Sequence, residues 1–202
     1  MRLDHLAVSA ATLAEGTAHV EAALGIVLAP GGRHDRMGTH NRLLGLGDIY
    51  LEVIATDPDA PEPAWPRWFD LDNFAGPPRL TNWIAACEDL GSEVASSPAG
   101  TGVPVAFERG DLRWQMAVPA TGRLPFEDAF PALIQWQGPA HPTQRLPDAG
   151  VRLIQIEIAH PQANALRGAL AGRISDPRVV IVAGPQKAMR ARFATPHGTR
   201  QL

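Results

Sequence analysis

Cysteine is almost missing: Cys87 stands alone in the chain. A single thiol excludes an internal disulfide framework and fits a reducing, cytoplasmic setting. No apolar run approaches the roughly 20 residues that a membrane-crossing helix requires. The N-terminus shows no basic stretch followed by an apolar one, so no secretory signal is expected. Neither sign of charge dominates: 18 Lys and Arg stand against 21 Asp and Glu, for a net charge of −3. Without a basic stripe, nucleic acid and anionic membrane are not expected partners. Two catalytic motifs are absent as well. "APGGRHDRMG" lacks the Gly-Lys-Ser/Thr ending of a phosphate loop, and no G-x-S-x-G elbow occurs.

What is present describes an ordinary globular chain. Apolar residues make up 45% and charged residues 19% of 202 positions. A chain of this size can bury about 70% of its unfolded surface and needs no covalent staples. Nineteen prolines and nineteen glycines predict many turns and short strands rather than a helical bundle.

"RLDHLAVSA" alternates as a strand, with Leu6 and Val8 on one face and Leu3, His5 and Ala7 on the other. "SAATLAEGTAHVEAALGI" reads as a helix with Thr12 as N-cap, Gly25 as the stop, and Leu13, Val20, Ala23 and Leu24 as its apolar stripe. Three strand-like runs punctuated by glycine follow, the last being "DIYLEVIAT". Residues 1–57 therefore read as a βαβββ unit. Residues 58–78 form a Pro-rich connection with Trp65, Trp68, Phe69 and Phe74. Four large aromatics predict an ordered loop packed on the body, a candidate lid.

The opening then recurs. "RLTNWIAACEDL" from Arg79 lies over "RLDHLAVSAATL" without a gap, and "RLIQIEIAHP" from Arg152 gives a third copy. "DLRWQMAV" at Asp111 echoes "DIYLEVIA" at Asp48, which sets Gln115 over Glu52. Residues 79–150 thus read as a second, divergent unit and 151–202 as a third, partial one, all within one domain. Repeated units of this kind each leave a sheet face for a neighbour to cover. The expected class is α+β, with repeated βαβββ units paired into a cupped mixed sheet and helices on the outer face.

A strand "xxxHLAV" opening a βαβββ unit that closes in "YLEVIA" resembles the vicinal oxygen chelate superfamily. "LDHLAVSA", "GTHNRLLGLGDIYLEVIA" and "FPALIQW...HP" resemble, more narrowly, its glyoxalase-like domain proteins. The resemblance spans nearly the whole chain. It implies two paired units around a divalent metal (Zn, Ni, Fe or Mn), with two ligands from each unit's first and last strands. It also implies a small-molecule enzyme of lyase, isomerase or dioxygenase type, in which the metal chelates adjacent substrate oxygens. Position by position, His5 and Glu52 take the ligand places of the first unit. Asn82 and Gln115 take those of the second, or Trp83 that of Asn82 if the register slips by one.

His, Glu and an amide oxygen make a possible but hard set of metal donors. The expected metal ligands are His5, Glu52 and Gln115. Glu52, His40 and His141 are the candidate acid–base groups, the last held extended by the proline after it. Asn41, Tyr50, Asn82, Trp65, Trp68 and Trp136 are the expected pocket. If Gln115 faces the cavity, Trp114 faces away. His34 and His197 read as loop histidines, and Cys87 as inert. The rival from another class is a metal-free protein of the bleomycin-resistance type that sequesters an apolar ligand. Neutral Asn82 and Gln115 favour it, while His5 and Glu52 favour the enzyme. Units of this kind often pair across subunits, so a homodimer is a further expectation.

Overall fold

The computed structural model describes all 202 residues. The first half comprises β1 (Arg2–Ser9), α1 (Leu13–Leu24), β2 (Ala29–His34), β3 (Thr39–Gly45) and β4 (Tyr50–Thr56). The second comprises β5 (Arg79–Ala86), α2 (Leu90–Ala95), β6 (Val103–Arg109), β7 (Leu112–Val118) and β8 (Ala132–Gln137). Their eight strands form one curled mixed sheet in the order β2-β3-β4-β1-β5-β8-β7-β6. The seam is the antiparallel pair β1 and β5, flanked by β4 parallel to β1 and β8 parallel to β5. Both halves therefore sit in one sheet within one chain, and the cup needs no second copy.

Helix α1 starts and stops where its chemistry directs. The Thr12 side chain accepts a hydrogen bond from the Glu15 N–H, and Gly25 takes the left-handed conformation at φ 68°. Val20 and Leu24 are buried against the sheet. Gly16 brings the helix close: a Cβ there would stand 2.6 Å from Val53 Cγ1 and 2.7 Å from the Ala10 Cβ.

A third segment comprises β9 (Arg152–His160), α3 (Ala163–Leu170), β10 (Val179–Ala183), β11 (Ala188–Thr195) and β12 (Gly198–Gln201). Its strands form a separate sheet, β10-β9-β11-β12. Ile156, Ile158, Ala191 and Phe193 share one core with Leu6, Val8, Trp83 and Leu133. The third segment thus covers the back of the seam and lies outside the cup.

Two strand readings need correction. Leu3 joins Leu6 and Val8 in the back core rather than sharing a face with His5. The β1–β5 register shifts between Leu3 and His5, so a bulge absorbs one residue, Asp4. Such bulges re-aim side chains, and here Asp4 and His5 hydrogen-bond each other on the cup side. In the second half, the strand beside β5 is β8, not "DLRWQMAV", which is the third strand β7. Glu52 pairs with Ala7, and the corresponding partner of Ile84 is Ala132. The place opposite Glu52 therefore belongs to Ala132, not to Gln115.

The connection between β4 and β5 crosses the open side of the cup. Trp68, Phe69 and Leu71 are buried in a cluster with Ala7, Ile54, Ile84 and Trp114. Phe69 and Asp70 hold left-handed backbone conformations, φ 60° and 52°. Strain of this sort costs on the order of 1–3 kcal/mol per residue. Burial of a large apolar side chain returns about 1.5–3 kcal/mol. The Asp70 N–H also donates to the Gly122 carbonyl at 3.0 Å.

Candidate functional site

The cup encloses a small chamber lined by His5, Asn41, Tyr50, Glu52, Trp68 and Trp136, with Arg109 and Trp114 at one side. Its volume is about 30 Å³, and one water needs about 10–15 Å³ measured this way. It is a small, partly open space for a couple of waters.

Asp4 is the hub of the polar side. His5 Nδ1 donates to Asp4 Oδ1 at 2.6 Å, while His141 Nε2 at 3.1 Å and Trp136 Nε1 at 3.0 Å donate to Oδ2. The Thr143 N–H donates to His141 Nδ1 at 3.3 Å, which leaves Nε2 as the protonated nitrogen of that ring. Burial by itself would raise the Asp4 pKa, but the hydrogen bonds and charges of His141 and His5 outweigh it. The carboxyl is held well below its ordinary range and stays ionised.

With Nδ1 bonded to Asp4, His5 presents Nε2 to the chamber, 3.7 Å from Glu52 Oε2. The imidazole stacks on Tyr50, with ring centroids 4.3 Å apart and planes 14° apart. Burial, then Asp4 and Glu52, push the Tyr50 phenol well above its ordinary pKa, so it remains a donor. The other Glu52 oxygen accepts from Asn41 Nδ2 at 2.5 Å. Asn41 Oδ1 in turn accepts from the Gly32 N–H at 2.7 Å and from Arg109 Nη1 at 3.4 Å. Each half-network fixes one polar side chain of the wall, His5 through Asp4 and Glu52 through Asn41.

The structure brings together His5, Glu52, Asn41, Tyr50, Trp68 and Trp136 in the chamber wall. His141 stands behind them through Asp4. Other expected residues lie elsewhere. Gln115 is on the outer face of β7, because Trp114 and Met116 take the inward positions. The alternation expected between Trp114 and Gln115 holds with the faces exchanged. His40 alternates with inward Asn41 and points to Asp57, 3.9 Å from Nδ1 to Oδ1. Trp65 lies outside the chamber and donates to Met37 Sδ at 2.9 Å. Asn82 pairs with Ala7 but is fully buried and not part of the chamber lining, and neither amide atom has a partner. Burial raises the Cys87 thiol to about 11, so it is protonated at neutral pH.

Asp4 behind the chamber, and His34, Arg109 and Trp114 in its wall, are among the residues that the sequence reading did not assign to the site. Asp4 is hidden by the bulge. His34 looked like a loop residue, Arg109 sits at a hairpin end, and Trp114 follows from the true position of β8.

A family model described as a glyoxalase-like domain matches residues 3–173. The chain belongs to the glyoxalase-like domain family. This places it in the vicinal oxygen chelate superfamily, whose curled mixed sheet it shares. Among solved structures, a hypothetical protein from Staphylococcus aureus is similar at 13% identity and TM-score 0.63, over 92% of this chain and 87% of that one. Methylmalonyl-CoA epimerase from Streptomyces coelicolor overlaps 69% of this chain and 99% of its own at 12% identity, TM-score 0.46. The Mycobacterium tuberculosis epimerase overlaps 68% and 88% at 16% identity, TM-score 0.44. These likenesses concern the fold alone. Comparison with curated proteins finds no match. No helix of this glyoxalase-like chain is long and apolar enough to cross a membrane.

The donor set does not fit the divalent metal that the family resemblance implies. No group of three or more His, Cys, Asp or Glu side chains is arranged to hold a metal ion; Asp4, His5 and His141 converge only to hydrogen-bond one another. His5 and Glu52 are two donors, Gln115 faces outward, Ala132 has no donor, and Asn82 is buried outside the chamber lining. Structural and catalytic zinc sites use four protein ligands or three plus water, and non-haem iron sites use three.

Proposed function

We propose that the chain is a small-molecule enzyme of the isomerase or lyase type that moves protons with its own side chains. The supporting observation is the Asp4–His5 pair, 2.6 Å apart, which leaves His5 Nε2 facing the chamber. Asp4 holds the ring in one tautomer and stabilises the imidazolium that forms when Nε2 takes a proton. The substrate is a carbonyl compound with an acidic neighbouring C–H. His5 Nε2 takes that proton, the C–H electron pair moves into an enolate, and the developing oxyanion meets the Tyr50 phenol. Glu52, aimed by Asn41, is the second proton-moving group. The oxygenase alternative would need a redox metal, which two donors do not retain.

The chamber is far below the roughly 300–1,000 Å³ of ordinary ligand sites, so on this reading its walls widen to admit a substrate. The aromatic walls formed by Trp68, Phe69, Trp114 and Trp136 support a second reading, a protein that sequesters a flat apolar ligand without reaction.

Deuterium uptake from D₂O into small 2-oxo acids and β-keto esters, followed by proton NMR, tests the proposal. Wild-type protein treated with chelator is expected to catalyse exchange, and H5Q to lose about 10²–10⁴-fold. Equal rates in H5Q would refute the role of His5. Exchange that appears only on adding a divalent cation would restore the metal mechanism. Tight ligand binding without exchange would favour sequestration.

A further inference from the structure

Arg109 has its guanidinium at the chamber wall, and its partners there are uncharged. Nη1 lies 3.1 Å from His34 Nε2 and 3.4 Å from Asn41 Oδ1, with no carboxylate in contact. Its neighbours at the mouth differ: Arg33 is paired with Asp57 at 2.6 Å and Arg113 with Glu108 at 3.2 Å. His34 does not share the positive charge. Burial, and after it the Arg109 charge, push that imidazole down to about 3, so it is neutral and accepts from the arginine.

The backbone makes room for this arm. A Cβ on Gly32 would stand 2.8 Å from Arg109 Cδ, and one on Gly31 would stand 2.2 Å from both Asn41 oxygens. Arg109, His34 and Trp114 also line an outer groove of about 740 Å³, which meets the 30 Å³ chamber at these three residues. A half-buried guanidinium without an anion is an unmet requirement, since such groups are normally paired when desolvated.

We propose that Arg109 anchors a carboxylate of the substrate, so that the ligand class is a small organic acid lying with its charged end at the groove–chamber junction and its reacting end toward His5. This deepens the acid–base reading of the chamber and rests on it. The planar fork of arginine suits a carboxylate, which can accept two parallel hydrogen bonds. Asn41 separates the guanidinium from Glu52, accepting from Arg109 on Oδ1 and donating to Glu52 through Nδ2. Trp68 and Trp114 offer flat apolar walls to the body of the acid.

Binding of a matched pair of probes, phenylacetate and phenylacetamide, measured by calorimetry and by quenching of the chamber tryptophans, tests the anchor. The wild type is expected to prefer phenylacetate by about tenfold or more, the range of a charge-assisted hydrogen bond. In R109Q the two affinities are expected to converge through loss of phenylacetate binding, with phenylacetamide binding unchanged; R109K is expected to keep part of the preference. Equal affinities in the wild type, no binding of either probe, or an undiminished preference in R109Q would overturn the anchor. Circular dichroism of R109Q and R109K checks that both variants are folded. Deuterium exchange into an uncharged β-keto ester, lost in H5Q, reports on the acid–base reading separately.

Discussion

Replacing Asp4 with Asn removes one charge from a group with three hydrogen-bond donors around it. The carboxylate accepts from His5, His141 and Trp136. Hydrogen bonds to a charged group contribute about 1.5–3 kcal/mol each, and breaking a buried pair costs about 3–5 kcal/mol. The amide keeps one oxygen acceptor but turns its NH₂ toward a ring N–H. Removing the charge also removes the cost of burying it. A net loss of about 3 kcal/mol is expected at pH 7. Because the folded Asp4 pKa is depressed, the stabilisation is fully present above the ordinary carboxylate pKa. It is lost as pH falls toward the folded value, so the gap between wild type and D4N narrows below about pH 4. Urea unfolding at pH 7 and pH 3.5 measures both numbers. Nitrogen-15 NMR of the imidazoles supplies a functional readout: His5 is expected to lose its fixed Nδ1–H tautomer in D4N. A D4N protein within about 0.5 kcal/mol of wild type at pH 7, or one whose His5 tautomer is unchanged, would refute the account of Asp4 as hub.

Three more perturbations have defined directions. The folded His34 pKa is depressed to about 3. Stability is therefore expected to fall as pH drops below about 6.5, by at most about 1.4 kcal/mol per unit, and H34Q is expected to flatten that slope in denaturant titrations between pH 7 and 5. N82L replaces a buried amide without partners by an apolar side chain of similar size and is expected to stabilise by about 1–3 kcal/mol; a lower midpoint in thermal unfolding would show that Asn82 has a polar partner. G16A should destabilise by about 1–2 kcal/mol although alanine is the better helix former, since the clash with Val53 and Ala10 exceeds the propensity gain of about 1 kcal/mol; a raised midpoint would show that helix α1 shifts freely.

The sequence reveals most of the scaffold because its cues are local. The Arg-Leu openings at Arg2, Arg79 and Arg152 begin β1, β5 and β9. Thr12 and Gly25 bound α1 through bonds within a few residues. His5 and Glu52 are legible because a charged group in an apolar strand is conspicuous. What is lost depends on pairing. Alternation sends Asp4 to the back of the sheet, and only the register with β5 reveals the bulge. "DLRWQMAV" matches "DIYLEVIA" by composition, yet β8 takes the place beside β5. The segment before β8 contains three successive left-handed residues, Phe126, Glu127 and Asp128, a turn without glycine that no propensity rule anticipates. Arg109 closes β6 in "ERGD", which reads as a surface hairpin, and its reach to His34 and Asn41 depends on the sheet curling.

The two halves of the cup have unequal content. Asp4, His5, Asn41, Tyr50 and Glu52 all come from the first, while the second contributes Trp114, Met116, Ile134 and Trp136, with Arg109 at the rim. Duplication followed by such a division separates two kinds of evolutionary risk. On the acid–base reading proposed above, changes in the first half reach the proton-moving groups directly, whereas those in the second reach them only through His141 and Trp136, which hold Asp4. A lineage of such chains could reshape its walls by drift at Trp114, Met116 and Ile134 alone.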